Sequence, residues 1–210
     1  MERNKYPGKF IVFEGLDGSG QSTQAKLLQS LVKNWPANVV LTKEPTPDSD
    51  AGKLIKEILR GKQKMSPRKF QKLFARDREI HLAEVIIPHL QHGDVVISDR
   101  YFLSSLAFGA TDGVDLNFLI DLNENKLNPE LIKPDLMFFL DVRPEIAISR
   151  IEARNKGKEH FEKLEKLTTA LSHYKCLIRD RYNETHVVDG EKSIPDISKE
   201  IQHIVADMLK

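Results

Sequence analysis

Gly15-Leu16-Asp17-Gly18-Ser19-Gly20-Gln21-Ser22-Thr23 lies between an apolar run, Phe10-Ile11-Val12-Phe13, and a segment in which Ala25, Leu27, Leu28, Leu31 and Val32 recur with helical spacing. A strand, a glycine loop and a helix in that order, with Gly15 and Gly20 closing a five-residue step and Ser22 two further on, have the layout of a phosphate-binding P-loop. The reason is a backbone one. Gly15, Gly18 and Gly20 lack a Cβ, so consecutive N–H groups turn inward around an anion, and the helix beginning near Gln21 adds its unpaired N–H groups and the positive end of its dipole. The Ser22 hydroxyl is then placed to ligate the magnesium ion that accompanies a nucleoside triphosphate.

The lysine that follows the second glycine in this pattern is Gln21 here. Glutamine donates hydrogen bonds but supplies no charge, so phosphate binding is expected to survive the change better than catalysis does. Around the loop, 210 residues suit one α/β domain spanning 1–210. With 32 basic and 31 acidic residues there is no global field, and neither nucleic acid nor an anionic membrane is implied as a partner. The single cysteine, Cys176, excludes an intramolecular disulfide, fits a reducing cytoplasm and reads as a small buried hydrophobe. The polar amino terminus has no signal-peptide shape, and runs such as Leu136 to Leu140 are too short to cross a bilayer, so a cytoplasmic protein is expected.

Further apolar runs at Asn38–Leu41, Val95–Asp99, Leu136–Leu140 and Thr185–Asp189 alternate with helical patterns at 51–60, 101–108, 115–126, 144–154, 161–182 and 194–209. Ser66-Pro67 opens a long helix, serine capping and proline in the first turn, which runs towards Pro88. This alternation predicts a three-layer α/β/α fold with a mainly parallel sheet of five strands. Ligands gather at the carboxyl ends of such strands, so Glu14 to Thr23, Lys43-Glu44-Pro45, Asp99-Arg100-Tyr101 and Asp189-Gly190 should line one edge.

Asp99 closes an apolar strand and can hold magnesium through water; it can equally cap the helix that follows. Arg100 offers a planar fork for a phosphate or for a surface ion pair. Phe74 and Arg78 are four apart on one helix face, where a ring and a guanidinium could stack on a base and donate to its carbonyls, though Phe70, Leu73 and Phe74 also read as core. His81, His89 and His92 lack metal-site spacing and read as surface histidines.

Phe13 to Gly20, Lys43-Glu44-Pro45, Leu73-Phe74 with Arg78, Asp99-Arg100-Tyr101, Ser104-Ser105-Leu106-Ala107-Phe108 and Asp189-Gly190 together resemble the thymidylate kinases, within the P-loop nucleoside monophosphate kinases, over nearly the whole chain. The resemblance implies ATP- and Mg2+-dependent conversion of dTMP to dTDP on the way to dTTP, by a homodimer. It implies an ATP site of Gly15, Leu16, Asp17, Gly18, Ser19, Gly20, Gln21, Ser22, Thr23, Arg150, Asp189 and Gly190, with metal at Ser22 and Asp99. Phe74 would stack on thymine and Arg78 bond its carbonyl. Arg100 would hold the acceptor phosphate, with Asp17, Glu44 and Pro45 near it and the sugar. Ser104 and Ser105 would border the base, and Phe108 would crowd the place of a 2′-hydroxyl.

Three departures qualify this. Gln21 replaces the lysine; Ala107-Phe108-Gly109 stands where many members have Ala-Tyr-Gln; and Asp17-Gly18-Ser19 lacks the loop arginine of some members. Members without that arginine carry basic residues in a lid, and Arg150, Arg154, Lys156 and Lys158 lie in such a segment, about 150–162. A catalytic set of Asp17, Arg100, Arg154 and Lys158 follows, the lid cations replacing part of the charge absent at Gln21. Two alternatives stand beside it: a nucleotide-binding member with little catalysis, and a kinase for another pyrimidine nucleotide.

Overall fold

Phe10-Ile11-Val12-Phe13 is apolar at every position because it is covered on both faces. In the computed structural model, which describes residues 1–32, 37–127, 129–154 and 160–208, this run is the middle of strand β1 (Lys9–Gly15). Phe10 and Val12 belong to one apolar cluster with Val96, Phe139 and Tyr174, while Ile11 and Phe13 belong to another with Leu28, Ile97, Phe138 and Ile201. The remaining strands are β2 (Val39–Lys43), β3 (Val95–Asp99), β4 (Leu136–Asp141) and β5 (His186–Asp189). They form one five-stranded parallel sheet in the order β2-β3-β1-β4-β5.

Two helices, α1 (Gln21–Leu31) and, at the end of the chain, Ile194–Met208, cover one face through Ala25, Leu28, Ile197, Ile201 and Val205. The other face is covered by Phe102, Leu103, Leu106, Ala147, Ile148 and Tyr174, from helices Phe102–Thr111, Pro144–Arg154 and His160–Asp180. Numbering in chain order, α2 is Asp50–Leu59, α3 Pro67–His81, α4 Ile87–His92, α5 Phe102–Thr111, α6 Leu116–Glu124, α7 Pro144–Arg154, α8 His160–Asp180 and α9 Ile194–Met208. The three-layer α/β/α expectation holds. Among the described residues no helix is long and apolar enough to cross a membrane.

Several local expectations change. The helix expected to run towards Pro88 continues past it: α3 passes through a π-helical turn, Leu82–Ile86, into α4, which ends at Gly93 with φ 89. Pro88 sits in the first turn of α4, where its missing N–H is not needed, and the wide turn before it accommodates the ring. Ser66 is the N-cap of α3 but makes no side-chain cap bond; Pro67 carries the start. Glu2–Arg3 pairs in parallel with Ile132–Lys133, a two-residue ladder with no signal in the sequence pattern. Cys176 is exposed on α8 rather than buried.

Register decides what meets at the carboxyl edge. Asp99 pairs with Phe13 on one side and Lys43 on the other, Gly15 with Leu140, and Asp141 with Asp189. Glu14, Glu44, Asp99 and Asp189 therefore lie along one edge of the sheet.

Candidate active site

The glycine loop between β1 and α1 is shaped by two residues above all. Gly18 has φ 85, and a Cβ there would stand 2.3 Å from the Ala147 carbonyl oxygen. Gly20, with φ 103, is the left-handed N-cap of α1. Arg150 on α7 donates through Nη1 to the Ser19 carbonyl at 3.2 Å, tying the loop to the neighbouring helix. Gly190, just past β5, donates to the Asp141 carbonyl at 3.0 Å, and Asp189 accepts from the Glu191 N–H at 3.0 Å.

At the loop's mouth Ser22 Oγ donates to Asp99 Oδ2 at 2.5 Å, while Asp99 Oδ1 is buried and has no hydrogen-bond partner. A hydroxyl beside a carboxylate with an unused oxygen is a donor set for a hard divalent cation. Among the described residues no group of three or more His, Cys, Asp or Glu converges. Magnesium is held by few protein oxygens and keeps water and phosphate ligands. Asp99 does not cap the following helix. That task falls to Glu14, whose Oε1 accepts from the backbone N–H of Tyr101 at 3.0 Å and of Ser104 at 3.2 Å.

Gln21 is 4% exposed and folded back into the protein. Arginine only donates, so the atom of Gln21 facing Arg100 must be its oxygen. Oriented so, it accepts from Arg100 Nη2 at 2.6 Å and Nε at 3.2 Å, and its nitrogen donates to the Leu16 carbonyl at 3.0 Å and to Ser19 Oγ. The residue at the lysine position thus touches the arginine at the end of β3.

Arg100 holds φ 78, which is costly for a residue with a Cβ and is found where surroundings over-determine it. Its Nη1 donates to the Gly15 carbonyl at 3.1 Å and to Ser104 Oγ at 2.9 Å, and Nη2 to Asp17 Oδ1 at 2.6 Å. Burial works against its charge, but Asp17, Tyr174, Glu14 and Asp99 more than offset this and keep it protonated. Glu14, beneath it, also accepts from Ser104 Oγ at 2.5 Å and Tyr174 Oη at 3.3 Å. Burial pushes its carboxyl up to about 7, with Ser104, Arg100 and the Tyr101 N–H pulling the other way.

Beyond Arg100 opens a cavity of about 570 Å3. Asp17, Glu44, Pro45, Phe74, Arg78, Arg100, Ser104, Ser105 and Phe108, drawn from four stretches of sequence, all line it. A larger cavity, about 840 Å3, flanks α1 and is lined by Ser22 and Asp99, but carries no Phe, Tyr or Trp ring and no arginine. The smaller one therefore has the chemistry to grip a flat base and an anion.

Arg78 is 1% exposed and bound on three sides. Nε and Nη2 donate to Glu44 Oε2 at 2.9 and 2.6 Å, Nη2 also to Ser105 Oγ at 3.1 Å, and Nη1 to Asn123 Oδ1. Of the five N–H groups of a guanidinium, this leaves one on Nη1 unassigned. Glu44 Oε1 meets His81 Nδ1 at 3.1 Å, and His81 Nε2 meets Thr42 Oγ1 at 2.7 Å. Burial would raise the Glu44 carboxyl, but Arg78 and His81 hold it below the usual carboxylate range.

His81 is thus a buried partner, 1% exposed, and not the surface histidine its spacing suggested. His89 and His92, flanking Asp94 at 2.6 and 3.1 Å, are partly and largely exposed as expected. Sequence reading also missed Asp77, which accepts from the Thr46 N–H at 2.9 Å and from the Thr46 and Ser49 hydroxyls at 2.5 and 2.6 Å, fixing the loop after Pro45. Glu14 carried the same signal as Asp99, a carboxylate near the end of an apolar strand; Asp77, Asn123 and Tyr174 had no local signal at all. Lys158 and the side chain of Arg154 lie outside the described residues.

A family model described as thymidylate kinase matches residues 13–201. A "probable thymidylate kinase" of Pyrococcus horikoshii is 40% identical over 203 residues, covering 94% of this chain and 96% of that protein. One from Thermococcus kodakarensis is 38% identical, covering 95% and 98%. The thymidylate kinase of Caldicellulosiruptor saccharolyticus is 34% identical, covering 97% and 98%.

Proposed function

The chain belongs to the thymidylate kinase family, and on that footing we propose how its residues divide the work. It is a dTMP kinase, a phosphotransferase that converts dTMP to dTDP with ATP as donor. Gly15 to Thr23, with Arg150, Asp189 and Gly190, take the ATP. Backbone N–H groups of the loop and the α1 N-terminus face its β- and γ-phosphates. Ser22 and Asp99 hold Mg2+, which when bound spreads the charge of the group in flight.

On the acceptor side Phe74 stacks on the thymine and Arg78 gives its remaining N–H to a base carbonyl. Arg100, with Asp17, holds the 5′-phosphate. Glu44, Pro45, Ser104 and Ser105 frame the sugar and base, and Phe108 crowds the 2′ position. The observation that carries this reading is the Arg100 contact with the Gly15 carbonyl, 3.1 Å away. An acceptor phosphate held by Arg100 sits against the donor loop, where positioning and charge neutralisation do most of the catalysis of phosphoryl transfer.

Arg154 and Lys158, from a lid over about 150–162, supply cationic charge absent at Gln21. Replacing both by alanine is expected to lower turnover by on the order of tenfold or more; unchanged turnover would remove them from the catalytic set. A single domain over 1–210, a homodimer and a cytoplasmic location complete the reading, the dimer being checked by light scattering. The deciding assay is coupled ADP production with ATP, Mg2+ and dTMP. Turnover specific to dTMP is expected; ATP binding without turnover would mark a silenced member, and turnover of another pyrimidine nucleotide in its place would reassign the substrate.

A further inference from the structure

Gln71 lies on α3, three residues before Phe74 and seven before Arg78, and therefore on the same helix face. It is 3% exposed, lines the acceptor cavity, and its Oε1 has no hydrogen-bond partner. A buried acceptor left unpaired is costly, and a donor on a ligand entering the adjoining cavity would relieve that cost once the carboxamide turns to meet it. The same side chain has an unusual neighbour. A Cβ placed on Gly109 would stand 3.0 Å from Gln71 Cδ and 2.9 Å from both Leu119 methyl carbons. The carboxamide of Gln71 thus uses room that a side chain at position 109 would claim, and 109 is where many thymidylate kinases carry their glutamine.

We propose that Gln71 is a specificity-determining residue that reads the thymine edge, its side-chain carbonyl accepting the N3–H of the base, with Gly109 clearing the space it needs. The inference rests on the assignment of this cavity to dTMP. Thymine presents a ring N–H between two carbonyls. Gln71 offers an acceptor for that N–H, and Arg78 offers its one unassigned N–H to the adjacent carbonyl. Cytosine presents a ring lone pair and an amino donor instead, so both contacts turn unfavourable. Uracil carries the same edge as thymine and satisfies both. The amide that the family pattern puts on α5 is supplied here from α3.

The test compares wild type and Gln71→Leu with dTMP, dCMP and N3-methyl-dTMP, in which the N–H is replaced. Wild type is expected to favour dTMP over N3-methyl-dTMP in kcat/KM by on the order of 100-fold. Gln71→Leu is expected to raise KM for dTMP on the order of tenfold or more, to leave kcat nearly unchanged, and to shrink the N3-methyl discrimination by a similar factor. Its ligand-free melting temperature should not fall, because leucine fills the volume and leaves no unpaired acceptor. Gln71→Met repeats the loss of the amide with an unbranched side chain if leucine disturbs packing.

A merely structural glutamine would lower the melting temperature and weaken all three substrates alike, and that result overturns the proposal. So does a dTMP KM within about twofold of wild type, or an unaltered N3-methyl ratio. Wild type that turns over no dTMP at all would overturn the substrate assignment and this inference with it, whereas dTMP turnover with an indifferent Gln71 overturns the inference alone.

Discussion

In the proposed donor loop, Gly15 to Thr23, left-handed glycines shape the backbone, and the side chain at the lysine position, Gln21, is neutral and turned aside. Across the cavity the opposite holds: Glu14, Glu44, Arg78 and Arg100 are charged or titratable, largely withdrawn from water, and each is fixed by at least two partners. On the proposed assignment the donor region is thus a matter of backbone shape, and the acceptor region a matter of charge pairing. The lesson is that a backbone device tolerates change in its side chains, while a buried charge network is held by every member at once.

The sharpest way to break this contrast is to remove one member from each region. Glu44→Ala strands the Arg78 guanidinium in a dry site and is expected to cost about 3–5 kcal/mol of folding stability in urea denaturation. Ser22→Ala, on the exposed donor side, is expected to stay within about 0.5 kcal/mol while abolishing one cation ligand. Equal losses would show that the two regions are not built differently.

A second effect concerns pH. The Glu14 carboxyl titrates at about 7 in the folded protein against 4.5 for a free glutamate. The folded state therefore holds a proton that the unfolded chain has released, and stability falls as pH rises through that window, by about 3 kcal/mol in all. Glu44, held low, acts in the other direction: its contribution is present above 4.5 and is lost as pH falls through its folded-state value. Glu14→Gln should flatten the slope between pH 4.5 and 7 and leave the acid limb in place; an unchanged slope in thermal melts across that range would assign it elsewhere.

A further effect, smaller than that at Glu44, is expected at Gln21. Gln21→Lys puts a cation beside Arg100 and breaks a buried amide network, so ligand-free stability should drop by about 1–3 kcal/mol. With ATP bound the same lysine gains phosphate to pair with, and turnover should rise on the order of tenfold. Opposite signs in the two measurements sharpen the comparison; a fall in both would make Gln21 part of the acceptor network in function as well as in contact.

The two regions also differ in how far the sequence reveals them. Glycine spacing between an apolar run and a helical pattern is a local signal, and it located the loop, the sheet edge and the helices over both faces. The lining residues of the acceptor cavity were found by resemblance, but their supports were not. Tyr174 reaches Glu14 across 160 residues of sequence, and Asn123 reaches Arg78 across 45. No periodicity encodes such pairings, since each depends on helices converging from different crossovers. His81 was misjudged for the same reason: its neighbours in sequence say surface, while Glu44 and Thr42, brought by β2 and its following loop, make it interior.

The close approach of Gly109 to Gln71 also limits the order in which substitutions can accumulate. A side chain introduced at 109 while Gln71 is present collides with its carboxamide and with Leu119, and losing Gln71 first leaves the base edge unread for a time. Both neighbours are the ends of flexible side chains, so a residue at 109 is accommodated only as Leu119 and the Gln71 carboxamide move aside together, and the two positions are mechanically coupled across α3 and α5.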